Sequence, residues 1–150
     1  MRKISLLLVI AVVLSVSCNK DAYTSKPQLK FKEISATNIV LNSIFNISVE
    51  FTDKEGDIQD TLYIQKISKS CPGINSEFKT AFQVPSFTPV RNLKGNFEIQ
   101  CVYNAAVPGY LLLKGCSNRD DSTYLRFWLK DKAGNISDTI NSPTFVLLRP

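Results

Sequence analysis

The stretch "FTDKEGDIQD", residues 51–60, places Asp53, Glu55, Asp57 and Asp60 close together around a glycine. Carboxylate oxygens at this density are hard ligands of the kind a calcium ion takes, about six to eight at a time. The spacing is not that of an EF-hand, whose loop needs Gly at the sixth place and Glu at the twelfth. Counted from Asp53, Gly56 falls fourth and Ile64 twelfth. A second loop-like stretch, "DKAGNISD" at residues 131–138, carries Asp131 and Asn135. If the two met, Asp53, Glu55, Asp57, Asp131 and Asn135 would offer oxygens to one calcium ion. The competing reading is a pair of tight turns. Glu-Gly-Asp and Ala-Gly-Asn both suit turns in which Gly takes positive φ and Asp or Asn bonds the nearby backbone. Lys54 and Lys132 would then neutralise the acids without metal.

Other chemistry is scarce. The chain has no His, which removes Ser-His-Asp and Cys-His devices and His-ligated zinc. It has no CxxC pair and no Gly-rich phosphate loop. Glu50 and Glu98 fall on the polar faces of strand-like runs, where solvated charge is the simpler explanation than a glycosidase pair. The inventory therefore points away from an enzyme.

Four cysteines remain to be placed. Cys101 alternates with Phe97, Ile99 and Tyr103 and is expected in the core as a small hydrophobe. Cys71 and Cys116 fall in polar segments, "KSCPG" and "KGCSN", and are the expected disulfide of an exported protein. Reduced thiols, or a bridge through Cys101, are the alternatives. In "YLRFWLK", Tyr124, Arg126 and Trp128 alternate with Leu125, Phe127 and Leu129. This aromatic and basic stripe could serve as a sugar platform or a protein interface. It could equally be a strand face covered by the chain's own loops.

The amino terminus gives an address. Arg2 and Lys3 precede an apolar run from Ile4 to Val16, broken only by Ser5 and Ser15, and small residues then lead to Cys18. The run falls short of the roughly 20 residues needed to span a bilayer. It fits the apolar region of a secretory signal. The pattern resembles a bacterial lipoprotein signal, with Ser15 where Leu is usual, in the looser form found in Bacteroidetes. That resemblance implies cleavage before Cys18 and acylation of its thiol and new amino group, placing the protein in the outer membrane as a palmitate-bearing lipoprotein. Several acyl chains would hold it firmly, since each buried methylene contributes about 0.8 kcal/mol. Loss of residues 1–17 removes Arg2 and Lys3, so the formal charge of +5 for the whole chain overstates how basic the working protein is. No basic cluster stands out, and a nucleic-acid partner is not expected. Residues 18–27 are polar and read as a short tether. Lys20-Asp21 resembles the charged export signals of surface-exposed Bacteroidetes lipoproteins.

Residues 28–150 are long enough for one domain with its own core. Helical periodicity is absent and alternation recurs. Phe45, Ile47, Val49 and Phe51 share one face of "FNISVEF". "LYIQKI", "FEIQCVY", "YLLLK", "YLRFWLK" and "TFVLL" are further strand candidates, separated by Gly, Pro, Asn and Asp clusters. That is the pattern of an all-β antiparallel sandwich. The segment from Cys71 to Asn96, with Pro72, Pro85 and Pro89, reads as a long crossing connection with a short edge strand around Phe82. "SVEFTDKEGDIQDTLYI" and "LRFWLKDKAGNISDTI" resemble the paired loops of immunoglobulin-like domains in Bacteroidetes lipoproteins. The resemblance implies an immunoglobulin-like β-sandwich and no particular activity. With "SIFNISVEF" as strand B and "TYLRFWLK" as strand F, the B–C and F–G loops emerge at one end, which brings the two acidic stretches together. "DTL", "DST" and "DTI" resemble the acceptor of Bacteroidetes O-glycosylation, implying Thr61, Ser122 and Thr139 as its attachment points. The expected role is a lipid-anchored, non-catalytic binding or scaffold module of the cell envelope with a protein partner. The alternative is a carbohydrate-binding lipoprotein using the Tyr124–Arg126–Trp128 face.

Overall fold

The computed structural model describes residues 23–73 and 78–149. Two sheets enclose one core. The first holds β1 (Gln28–Ile34), β3 (Ile44–Asp53), β6 (Leu93–Tyr103) and β7 (Leu111–Leu113), in the order β1-β3-β6-β7. The second holds β2 (Asn38–Ile39), β4 (Thr61–Ser68), β5 (Phe78–Gln83), β8 (Asp121–Lys130), β9 (Ile140–Asn141) and β10 (Phe145–Leu147). Its order is β2-β10-β8-β4-β5, with β9 beside β8. Among the described residues there is no helix, and so none long and apolar enough to cross a membrane.

This is the immunoglobulin arrangement. Strands β1, β3 and β6 occupy the A, B and E positions, while β10, β8 and β4 run G, F, C in the facing sheet. The sandwich is not purely antiparallel. β2 pairs with β10 in parallel, and β7 pairs with β6 in parallel. Both are short additions at sheet edges. β5 runs for six residues antiparallel to β4, from Thr61↔Gln83 to Lys66↔Phe78. The expected crossing connection thus begins with a full edge strand. β1, which has no clear alternation in its sequence, pairs with β3 around a bulge between Phe31 and Glu33. That bulge interrupts the alternation that would have marked it.

Alternation sets the core. From β3, Phe45, Ile47, Val49 and Phe51 face inward; from β8, Leu125, Phe127 and Leu129 do so. Cys101 and Tyr103 of β6, Leu62 and Ile64 of β4, Leu111 and Leu113 of β7, and Phe145 and Leu147 of β10 join them, with Ile39, Ile58 and Val84. Phe97 and Ile99 share the face of Cys101 but are only half-buried, near the open end of the sheet. The inward faces of β4 and β8 are not wholly apolar, since Lys66, Ser68, Asp121 and Thr123 are all buried there. Lys66, on the buried face of β4, is fully enclosed and pairs with the fully enclosed Asp121 of β8 at 2.5 Å. Asp121 also accepts a hydrogen bond from Ser68 Oγ, and Ser68 Oγ in turn accepts the Cys71 N–H. This buried network closes the end of the sandwich opposite the acidic loops.

Strands β9 and β10 are one interrupted strand along β8. Pro143, which has no N–H to donate, separates them. Ser142 bridges the break, donating its N–H to Leu125 O while its hydroxyl accepts the Leu125 N–H. Ser137 treats Leu129 the same way.

Candidate functional site

The β3–β4 and β8–β9 loops leave the same end of the sandwich, because β4 and β8 pair in register from Thr61↔Lys130 to Ser68↔Thr123. The loops touch directly, through the Lys132 N–H donated to Asp57 O at 2.9 Å. Each is built on an aspartate that closes its own turn. Asp53 Oδ2 accepts the N–H of Gly56 at 2.6 Å and of Asp57 at 3.2 Å. Asp131 Oδ1 accepts the Asn135 N–H at 2.7 Å. The turn chemistry read from Glu-Gly-Asp and Ala-Gly-Asn is therefore present. Gly56 and Gly134 take φ of 74° and 90°.

The carboxylates of Asp53, Asp57 and Asp131 also converge, each offering an oxygen within 4.8 Å of the others. Asp53 and Asp131 are fully buried, and Asp57 is half-buried. Burial pushes the Asp53 carboxyl above its usual range, opposed by the two N–H groups it accepts; the charges of Asp57 and Asp131 push it further up. Two of the expected ligands take other parts. Glu55 is exposed and accepts the Ser25 hydroxyl at 2.9 Å. Asn135 acts through its amide nitrogen, donating to Asp131 Oδ2 at 2.8 Å and to Ser25 O at 3.0 Å. Lys54 and Lys132 form no ion pair with the three acids, so the expected neutralisation by lysine is absent there.

Residues 24–27, expected to be loose tether, pack on this end instead. Thr24 O accepts the Lys54 N–H, Lys26 pairs with Asp138, and Pro27 is buried. The reason is simple geometry. β1 starts beside the end of β3, at Gln28↔Thr52, so the residues leading into it must cross the β3–β4 loop. Cys18 and the rest of the expected signal and tether, residues 1–22, lie outside the described residues.

Cys71 and Cys116 are joined by a disulfide, with Cα atoms 6.1 Å apart. Cys101 is a free, buried thiol whose pKa burial pushes up to about 12. Of the three glycan acceptors implied by resemblance, Thr139 is exposed in the β8–β9 loop. Thr61 and Ser122 are half-buried within β4 and β8, and the Thr61 hydroxyl donates to Asp60. Glu50 is held below the usual carboxylate range, chiefly by its hydrogen bond from Lys94, and Glu98 accepts the Ser48 hydroxyl. Glu50 therefore lacks the raised pKa of a general acid.

Tyr124, Arg126 and Trp128 face outward from β8, half-buried. The sheet adds residues that the β8 sequence could not reveal. Tyr63 stands opposite Trp128 in the register, and the two rings stack at 5.2 Å between centroids, 8° from parallel. Lys79 of β5 lies 4.9 Å from the Trp128 centroid and 5.2 Å from that of Tyr63. Arg126 and Lys69 both sit 5.6 Å from the Tyr124 centroid, and Arg126 also donates to the Tyr124 hydroxyl. The face is a basic strip in which cations lie against aromatic rings. The alternation of "LYIQKI" already put Tyr63 outward; only the pairing of β4 with β8 put it beside Trp128. A separate apolar cleft of about 210 Å³, lined by Leu62, Phe82, Phe97 and Leu111 among others, opens between β5 and the β6–β7 edge. It is smaller than the roughly 300 Å³ at which ligand pockets usually begin.

No protein family matches the chain, and no curated protein does. Among solved structures it is similar to the sporulation control protein Spo0M from Bacillus subtilis. The identity is 11%, the TM-score is 0.46, and the match covers 85% of this chain and 51% of that one. The chain thus spans about half the length of Spo0M. It is also similar to a Niemann-Pick type C2 protein from the Japanese carpenter ant, at 8% identity and a TM-score of 0.42, over 87% of this chain and 98% of that one.

Proposed function

We propose that the protein is a non-catalytic binding module of the cell envelope, held at the outer membrane by lipid on Cys18, whose β4–β8–β5 face docks an acidic surface of a protein partner. One observation carries the choice of partner. The aromatic rings of that face are already engaged, Trp128 and Tyr63 by each other and by Lys79, and Tyr124 by Arg126 and Lys69. A sugar platform needs open ring faces on which a pyranose can stack. A protein interface needs aromatic anchors with polarised, charge-bearing edges, and Tyr, Trp and Arg are the residues that most often dominate such contacts. The cations make the strip complementary to acidic groups, which steers association and sets specificity.

The anchor is tested by Cys18→Ser, which should release the protein from membrane fractions. A variant that remains membrane-bound at the processed mass refutes it. The face is tested by crosslinking in intact envelopes. One discrete protein adduct is expected, weakened by salt and lost in Lys79→Glu/Arg126→Glu. An adduct indifferent to both changes, together with glycan-array binding that disappears in Trp128→Ala, would assign the face to a carbohydrate instead.

A further inference from the structure

We propose that Asp53, Asp57 and Asp131 bind a calcium ion, which fastens the β3–β4 loop, the β8–β9 loop and the residues leading into β1 to one another. This site uses none of the residues of the aromatic face and stands independently of the function proposed for it.

Turn closure explains only part of the arrangement. Asp53 Oδ2 is satisfied by two backbone N–H groups, but Asp53 Oδ1 is buried with no hydrogen-bond partner, in a side chain with no exposed surface. A buried carboxylate oxygen left unpaired is costly, and such atoms are rare in folded proteins. Asp57 and Asp131 place further carboxylate oxygens within 4.8 Å of Asp53. Three acids therefore share one small volume, two of them buried, and none is ion-paired to Lys or Arg. A turn needs one aspartate per loop and gives no reason for Asp57 to join them.

A calcium ion supplies what is missing. Oxygens bound on opposite sides of calcium lie about 4.6–5.2 Å apart, from bond lengths of about 2.3–2.6 Å. The three carboxylates already fall within that span, so they could bind without rearranging the loops. The ion would take Asp53 Oδ1 as a ligand and offset the repulsion among the acids, and water would complete the shell.

The consequence reaches the chain leading into β1. Asp131 Oδ2 is held by the Asn135 amide, which also donates to Ser25 O, and the Lys54 N–H donates to Thr24 O. A cation that fixes Asp53 and Asp131 therefore also fixes the platform on which residues 24–26 rest.

The test compares thermal melts of the purified protein in calcium chloride, in chelator, and in sodium chloride of matched ionic strength. Calcium at a hundredfold excess over its dissociation constant should raise the melting temperature by on the order of 10 °C. Asp57→Asn should abolish that shift, because Asp57 closes neither turn with its side chain; Glu55→Gln, outside the cluster, should retain it. Calorimetric titration of the unaltered protein with calcium should show saturable heat. Coincident melts in calcium and chelator with no titration heat would overturn the proposal, as would an undiminished calcium shift in Asp57→Asn.

Discussion

Replacing Lys66 by Met, on the inward face of β4, should strongly destabilise the protein. The ammonium and the Asp121 carboxylate are both fully enclosed and 2.5 Å apart, and each was stripped of water when the sheets closed. With Lys66 gone, Asp121 keeps the Ser68 hydroxyl as a donor but remains a buried anion without this counter-ion. Breaking one side of such a pair costs about 3–5 kcal/mol. Since a domain of this size is stable by only about 5–15 kcal/mol, the loss is a large fraction of the whole. The melting temperature should fall by about 10–25 °C. Asp121→Asn should cost a similar amount, because it takes the carboxylate away from the buried ammonium. The double variant Lys66→Met/Asp121→Asn removes both charges, and the new amide oxygen can still accept from Ser68. Its loss should fall short of the sum of the single losses by about 2 kcal/mol or more. Urea denaturation of all four proteins with the disulfide intact measures this directly. Additive losses within about 0.5 kcal/mol would refute the coupling and leave the two residues as independent contributors.

The two loop glycines should behave differently. Gly134→Ala meets open space and should cost only the backbone strain of its positive φ, about 1–2 kcal/mol, whereas a Cβ on Gly56 would lie 2.1 Å from Val90 O and should cost markedly more in thermal melts. The Cys71–Cys116 bridge closes a span of 45 residues, so Cys71→Ser/Cys116→Ser should lose about 4 kcal/mol on the chain-entropy account, measured by the shift in urea midpoint. In a Cys18→Ser background, Cys101 is the remaining thiol; with its pKa pushed up to about 12 and its sulfur buried, it should resist iodoacetamide at pH 8 until denaturant is added, and rapid labelling of the folded protein by mass spectrometry would contradict its placement.

Much of the sandwich was legible because strand alternation is local information. "FNISVEF" and "YLRFWLK" each present an apolar face every second residue, and the sheets bury those faces. The immunoglobulin order also followed from loop resemblance, since "DKEGDIQD" and "DKAGNISD" mark where two particular strands end. β1 and β5 were harder to read. A bulge breaks the alternation of β1, and β5 is an edge strand with mostly exposed side chains, so neither carries a strong period-two signal. Which strand residues alternate inward and which turns take glycine can be read along the chain, because both depend on nearest neighbours. Pairing register and packing were decided only in three dimensions. Register set Tyr63 against Trp128 and brought Lys79 over both. Packing turned Glu55 toward Ser25, made Asn135 a brace rather than a ligand, and left Asp53 Oδ1 buried without a partner. It also enclosed Lys66, a residue that composition alone would place in water, with a carboxylate that lies 55 residues away on a neighbouring strand. Local sequence carries no record of such distant partners, and their energies are what select the final arrangement.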